Sequence, residues 1–188
     1  MSMSNEIIPA LLPKDSEELK RSLLELPQEI KFLHLDVLEM DVWTPIDRDF
    51  EVHLMVKEPE KIIEKWIERE AKRVIVHESS REILKYHTQV EIGLEIEMHE
   101  FLTKELEQVS QVNFIHIMSI DEIGEQGHPF DPKVFDRIRE VKEKFPQIII
   151  SVDGGINVNN YQALVDIGVD RLIVGSGFKE LWQSQKKG

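Results

Sequence analysis

Cysteine is absent from this chain. That excludes disulfides, thiolate nucleophiles and cysteine-ligated zinc. Basic clusters are missing too: 36 acidic residues face 23 basic ones, for a formal net charge of −13. A surface this acidic, with no Lys/Arg-rich block, argues against nucleic acid and anionic membranes as partners. No apolar run approaches the ~18 residues that span a bilayer. Met1 to Glu6 is polar and carries no basic stretch ahead of an apolar one, so a cytoplasmic protein is expected. What the chain does have is length and apolar content for one core. At 188 residues and 41% hydrophobic, a single domain over 1–188 is expected, and no linker or low-complexity tract interrupts it.

Eight short runs read as strands: Ile7–Ala10, Phe32–Val37, Glu51–Val56, Arg73–His77, Val90–Leu94, Val112–Met118, Ile148–Val152 and Arg171–Val174. Most are β-branched or apolar and end in Gly, Pro, Asp or Ser. Helical patterns fall between them at Asp15–Leu26, Glu60–Ala71, Ser79–His87, Glu100–Val109, Asp131–Phe145, Asn157–Gly168 and Phe178–Gln183. Alternation of this kind implies right-handed parallel crossovers. Eight strands predict a closed (β/α)8 TIM barrel; an open doubly wound sheet is the alternative. One connection is too short for the pattern. Only 13 residues, 38–50, separate Val37 from Glu51, and Trp43-Thr44-Pro45 breaks any helix there. The barrel is therefore expected to lack the helix between strands 2 and 3.

Alternation along the strands locates a site. In Phe32-Leu33-His34-Leu35-Asp36-Val37 the leucines and valine share one face, while His34 and Asp36 share the other. The apolar face suits the helices, so His34 and Asp36 point into the barrel. The same parity turns His53 and Met55 inward, and Ser151 and Asp153. Barrel enzymes place their active sites at strand C-terminal ends. A buried carboxylate is costly unless paired or metal-bound. Two imidazoles and two carboxylates, His34, Asp36, His53 and Asp153, suit one divalent ion such as Zn2+, Fe2+, Mn2+ or Co2+. Separate local hydrogen bonds are the alternative for each residue taken singly. Two glycine turns follow strands, in Val152-Asp153-Gly154-Gly155 and Val174-Gly175-Ser176-Gly177. Such turns let backbone N–H groups approach phosphate. A metal-dependent enzyme acting on a small phosphorylated molecule is the expectation.

At these residues the chain resembles the ribulose-phosphate 3-epimerase family. His34-Leu35-Asp36-Val37 is similar to its His-x-Asp-Val strand, and His53-Leu54-Met55-Val56 to its His-Leu-Met-Val strand. Val152-Asp153-Gly154-Gly155-Ile156 and Val174-Gly175-Ser176 match its two glycine turns, and Met118 stands where it has a methionine. The likeness runs from Pro9 to Phe178. Three places depart from it, one being Leu38-Glu39-Met40 after Asp36-Val37, where the family has Met-Asp-Gly. Pro9-Ala10-Leu11-Leu12 replaces Pro-Ser-Ile-Leu, and 122–127 carry fewer glycines than the family's Pro-Gly-Phe-Gly-Gly-Gln. The resemblance implies interconversion of D-ribulose 5-phosphate and D-xylulose 5-phosphate through an enediolate. Asp36 and Asp153 would be the two acid/bases and, with His34 and His53, the ligands of one divalent metal. Met55 and Met118 would line the reacting carbons. Gly124, Gly127, Gly154, Gly155, Gly175 and Ser176 would hold substrate or its phosphate. Alternatives are an epimerase of another ketose phosphate, such as a ketohexose 6-phosphate, and a non-catalytic metal- or phosphate-binding barrel.

Strands 2 and 3 also show apolar outer faces that the short connection does not fully account for. A symmetric homodimer centred near Trp43 is the expected way of covering them.

Overall fold

A computed structural model describes residues 5–97, 109–120 and 127–186. Eight parallel strands close into one barrel in sequence order: β1 Glu6–Leu11, β2 Phe32–Val37, β3 Asp49–Leu54, β4 Arg73–Val76, β5 Glu91–Ile96, β6 Phe114–Met118, β7 Ile149–Asp153 and β8 Arg171–Val174. The helices among the described residues are α1 Ser16–Glu25, α2 Ile63–Glu68, α3 Arg81–Leu84, α4 Val134–Lys144, α5 Tyr161–Asp166 and α6 Phe178–Gln185. The helix expected at Glu100–Val109 lies almost wholly outside the described residues, as do Gly124 and the rest of 121–126.

Local chemistry sets the helix ends. Asp15 caps α1, its side chain accepting from Glu18 N–H at 2.8 Å. Ser80 does the same for α3 through Ile83 N–H. The helix expected over Glu60–Ala71 is a 3-10 turn, Pro59–Lys61, followed by the shorter α2. Asn157 does not cap a helix directly. It folds into a turn with Asn160, and α5 begins one residue after that.

Side chains on the outer face of the strands are almost entirely buried. They form two groups. Leu33, Leu35, Val52, Leu54, Val74, Val76 and Ile92 pack beneath α1, α2 and α3. Leu94, Ile96, Ile115, Ile117, Ile150, Val152, Leu172 and Val174 pack beneath α4, α5 and α6.

The helix between β2 and β3 is missing, as expected. The outer faces it would have covered are nevertheless dry: Leu33, Leu35, Val37, Val52 and Leu54 are each at most 5% exposed within one chain. Residues 38–48 do the covering. The Trp43 ring lies 5.6 Å from Trp66 of α2, edge to face, and 5.8 Å from Phe50. The Arg69 guanidinium sits 4.7 Å from the Trp43 ring and 4.6 Å from the Trp66 ring, where cation–π attraction joins them. Asp41 fastens the segment further by pairing with Lys65 and, at 2.6 Å, with Arg69. Val56 is only partly buried, and Leu38 and Met40 of the connection are exposed, but the other outer-face residues are covered within one chain and Trp43 is engaged by that chain.

Inside, the barrel is filled by residues of the opposite parity. Its floor holds charge. Arg73 pairs with Glu6 at 3.0 Å, Glu51 at 3.2 Å and Glu91 at 3.4 Å, and Arg171 pairs with Glu91 at 3.0 Å. Each guanidinium also covers a ring, Phe32 for Arg73 and Phe114 for Arg171.

Candidate active site

Register brings the polar residues together at the strand C-terminal ends. Asp36 of β2 stands beside His53 of β3, and Met118 of β6 beside Asp153 of β7. His34, Asp36, His53 and Asp153 each offer one ligand atom, and these atoms all lie within 4.8 Å of one another. His34 Nε2 is 3.1 Å from Asp36 Oδ1 and 3.8 Å from Asp153 Oδ2. His53 Nδ1 is 3.6 Å from Asp36 Oδ1. Both histidines are fully buried, while the two aspartates keep about a tenth of their side-chain surface open to the cleft.

The cleft above them has an empty volume of about 530 Å3 including its open mouth. Met55, Met118, Gly127, Gly154, Gly155, Gly175 and Ser176 all line it. So does Ala10, whose methyl supplies no hydrogen bond. The turn after β7 needs glycine at two positions. Gly154 has φ +114°, and a Cβ there would meet Ile120 at 2.7 Å. Gly155 has φ +62°, and a Cβ would meet the Phe130 backbone N at 2.5 Å. Ser119 holds the turn from below, its hydroxyl within reach of the Asp153 and Gly154 carbonyls at 2.9 and 2.6 Å.

Several buried polar groups here were not predicted. Glu51 and Glu95 are at most 1% exposed. His34 Nδ1 is 2.9 Å from Glu51 Oε1, and His53 Nε2 is hydrogen-bonded to Glu95. His77, at the end of β4, pairs across to Glu95 at 3.2 Å and Glu97 at 3.9 Å. His116 is a buried interior histidine. Its Nδ1 is 3.2 Å from Ser151 Oγ, its ring stacks on His34, and its Nε2 lies 3.7 Å from Asp153.

Charge alternates through this cluster. Burial opposes charge on His34, but hydrogen bonds to Asp36 and Glu51 outweigh it and raise its pKa well above the ordinary value. Burial also opposes charge on His53; attraction to Glu95 and Asp36 prevails and pushes it up to about 9. Burial favours the neutral acid at Asp36, Glu51 and Glu95. The neighbouring imidazoles prevail in each case and hold all three carboxyls low. His116 goes the other way, lowered chiefly by burial.

The donor set fits a divalent ion. Two imidazole nitrogens and two carboxylates converge, and His53 Nδ1 is a buried nitrogen without a hydrogen-bond partner, facing Asp36. An ion there would take the place of imidazole protons among the same carboxylates.

A parallel (β/α)8 barrel with convergent carboxylates and imidazoles at its strand C-termini defines a class of barrel proteins built to work on small molecules. Solved structures similar in fold include the tryptophan synthase alpha-subunit of Pyrococcus furiosus, with a TM-score of 0.68 and 10% identity over 98% of this chain and 92% of that one. Another is KGPDC from Streptococcus mutans, with a TM-score of 0.66 and 10% identity over 97% and 96%. At such identities they speak for the fold alone.

Within that class the chain belongs to the ribulose-phosphate 3 epimerase family, which matches residues 6–179. Its curated relatives include ribulose-phosphate 3-epimerases. That of Aquifex aeolicus is 29% identical over 71% of this chain and 62% of its own length. That of Schizosaccharomyces pombe is 23% identical over 91% and 85%. That of Escherichia coli K12 is 28% identical over 72% and 62%. The matched stretch thus spans under two thirds of the A. aeolicus and E. coli enzymes.

Proposed function

We propose that this chain is a metal-dependent 3-epimerase that interconverts D-ribulose 5-phosphate and D-xylulose 5-phosphate in the cytoplasm. The observation that carries the reading is the pair Asp36 and Asp153. They come from β2 and β7, lie near one imidazole nitrogen, and both face the cleft. Inverting one carbon through solvent exchange needs a proton carrier on each side of it. Asp36 and Asp153 take those roles, one removing the C3 proton and the other returning a proton on the opposite face. His34, Asp36, His53 and Asp153 would hold one divalent ion, whose Lewis acidity stabilises negative charge on the substrate oxygens.

The rest of the chain positions the sugar. Met55 and Met118 give an apolar wall that excludes water from the reacting carbons. The Gly154-Gly155 turn, with Gly175 and Ser176, receives the phosphate through backbone N–H groups. Local attraction of this kind is required, because the chain as a whole is strongly acidic.

The test is proton NMR of ribulose 5-phosphate with the protein in deuterated water. Xylulose 5-phosphate carrying deuterium at C3 is expected. Chelation should stop the reaction, and a divalent transition metal should restore it. Metal-loaded protein that exchanges no C3 proton would sink the proposal.

A further inference from the structure

Each histidine of the quartet has two ring nitrogens, and only one of them faces the centre. His34 turns Nε2 toward Asp36 and Asp153; its Nδ1 meets Glu51 at 2.9 Å. His53 turns Nδ1 toward Asp36; its Nε2 meets Glu95. The far nitrogen of both rings is therefore occupied by a buried carboxylate, and neither carboxylate is more than 1% exposed. Burying two carboxylates is costly unless each has a fixed partner. Here the partner is an imidazole N–H in both cases.

We propose that Glu51 and Glu95 are positioning residues that set the affinity of the quartet for its divalent ion. The inference rests on the cation reading given under Proposed function. A neutral imidazole can give a lone pair to a cation from one nitrogen only, and its proton must then sit on the other. Glu51 fixes that proton on His34 Nδ1, and Glu95 fixes it on His53 Nε2. Both rings are thereby held in the tautomer and orientation that present a lone pair to the centre. Carboxylate partners also raise the basicity of the ligand nitrogen.

The two supports are built differently. Glu51 is pinned from below by Arg73, which is itself tied to Glu6 and Glu91, so this branch runs down to the barrel floor. Glu95 instead leans on His77, whose side chain is 36% exposed at the mouth. The Glu95 branch is thus the one a substitution can alter without disturbing the buried floor.

The experiment is calorimetric titration of metal-stripped protein with Zn2+, beside the Co2+ absorption spectrum and the urea midpoint of each metal-free variant. Wild-type chain should take up one ion. Glu95→Ala should bind it roughly 10- to 100-fold more weakly, with a changed Co2+ spectrum and a cooperative urea transition. Glu95→Gln should recover part of the loss, because its amide oxygen still accepts the His53 N–H. Glu51→Gln should weaken binding in the same range, and Glu95 carries the test if that variant fails to fold. Wild-type protein that binds no Zn2+ would overturn the cation reading. Wild-type binding with an unchanged Glu95→Ala would overturn the positioning role alone. Two ions in wild type falling to one in Glu95→Ala would also overturn it, since Glu95 would then be a ligand with His77.

Discussion

Replacing Trp43 by alanine should destabilise the barrel strongly, although Trp43 lies on a connection with no regular structure. Its ring contacts Trp66 and Phe50 and lies under the Arg69 guanidinium. Full truncation of a buried tryptophan costs about 3–5 kcal/mol. Trp43 is only partly buried, which places the expected loss near the bottom of that range, at about 3 kcal/mol. Arg69 keeps its contact with Trp66, so little is added for the cation–π term. At a urea slope of roughly 2–3 kcal/mol per molar for a chain of this size, the midpoint should fall by about 1 M or more. Circular dichroism is the appropriate probe, since tryptophan emission changes with the substitution itself. Trp43→Phe should keep most of the stability, and Met40→Ala, at a residue 69% exposed, should stay within about 0.5 kcal/mol of wild type. A Trp43→Ala loss below about 1 kcal/mol would show that residues 38–48 do not replace the missing helix.

Asp36→Asn and Asp153→Asn should each lower C3 proton exchange by roughly 10²- to 10⁴-fold, with an unchanged circular dichroism spectrum; exchange retained in either variant would remove that residue from the two-base scheme. Gly155→Ala should cost on the order of 1–3 kcal/mol or more in a urea melt, from backbone strain and the clash with Phe130. Gly127→Ala, also at positive φ but with nothing within 4 Å of the new Cβ, should cost less, and equal losses would refute the role assigned to the clash. Asp41 is held down to about 2, first by its hydrogen bond to Arg69 and then by Lys65 against the effect of burial. Its contribution is present above the ordinary carboxyl value of 3.8 and is lost as pH falls toward about 2. Asp41 itself is 46% exposed, so the effect should not exceed about 1 kcal/mol. Urea midpoints of wild type and Asp41→Asn should therefore differ at pH 5 and converge near pH 2, and a constant gap would refute it.

Alternation carried most of the site. Leu33, Leu35 and Val37 gave away the outer face of β2, and that turned His34 and Asp36 inward. The same logic reached His53 and Asp153, and the lining by Met55 and Met118. The same parity holds for Glu51, two residues before His53 on β3, but it lies below the strand end, where the sequence carries no mark of a site. Glu95 was lost for a simpler reason. The expected strand Val90–Leu94 stops two residues short of Ile96 and so excludes Glu95 from the inner-face series Glu91, Gly93, Glu95. Arg73 and Glu51 also escaped notice as partners, because parallel register is a tertiary property that spacing does not encode. The covering of β2 and β3 within one chain is illegible in the sequence for a related reason. Counting apolar residues in the connection could not show that Arg69, a charged residue of α2's C-terminal cap, would complete a stack between two tryptophans.

The split of the outer shell into two groups gives the site a second meaning. The division falls within β5, between Ile92 and Leu94. Leu33, Leu35 and Val52, which back His34, Asp36 and His53, belong to the first half. Val152, which backs Asp153, belongs to the second. The quartet therefore draws its residues from two crescents, each with its own hydrophobic backing. An ion held by all four groups would link the two crescents through side chains as well as through the strand ladder, and would stabilise the folded chain by about 2.7 kcal/mol at a hundredfold excess over Kd. Neither crescent alone carries both aspartates, so the site exists only in the closed barrel.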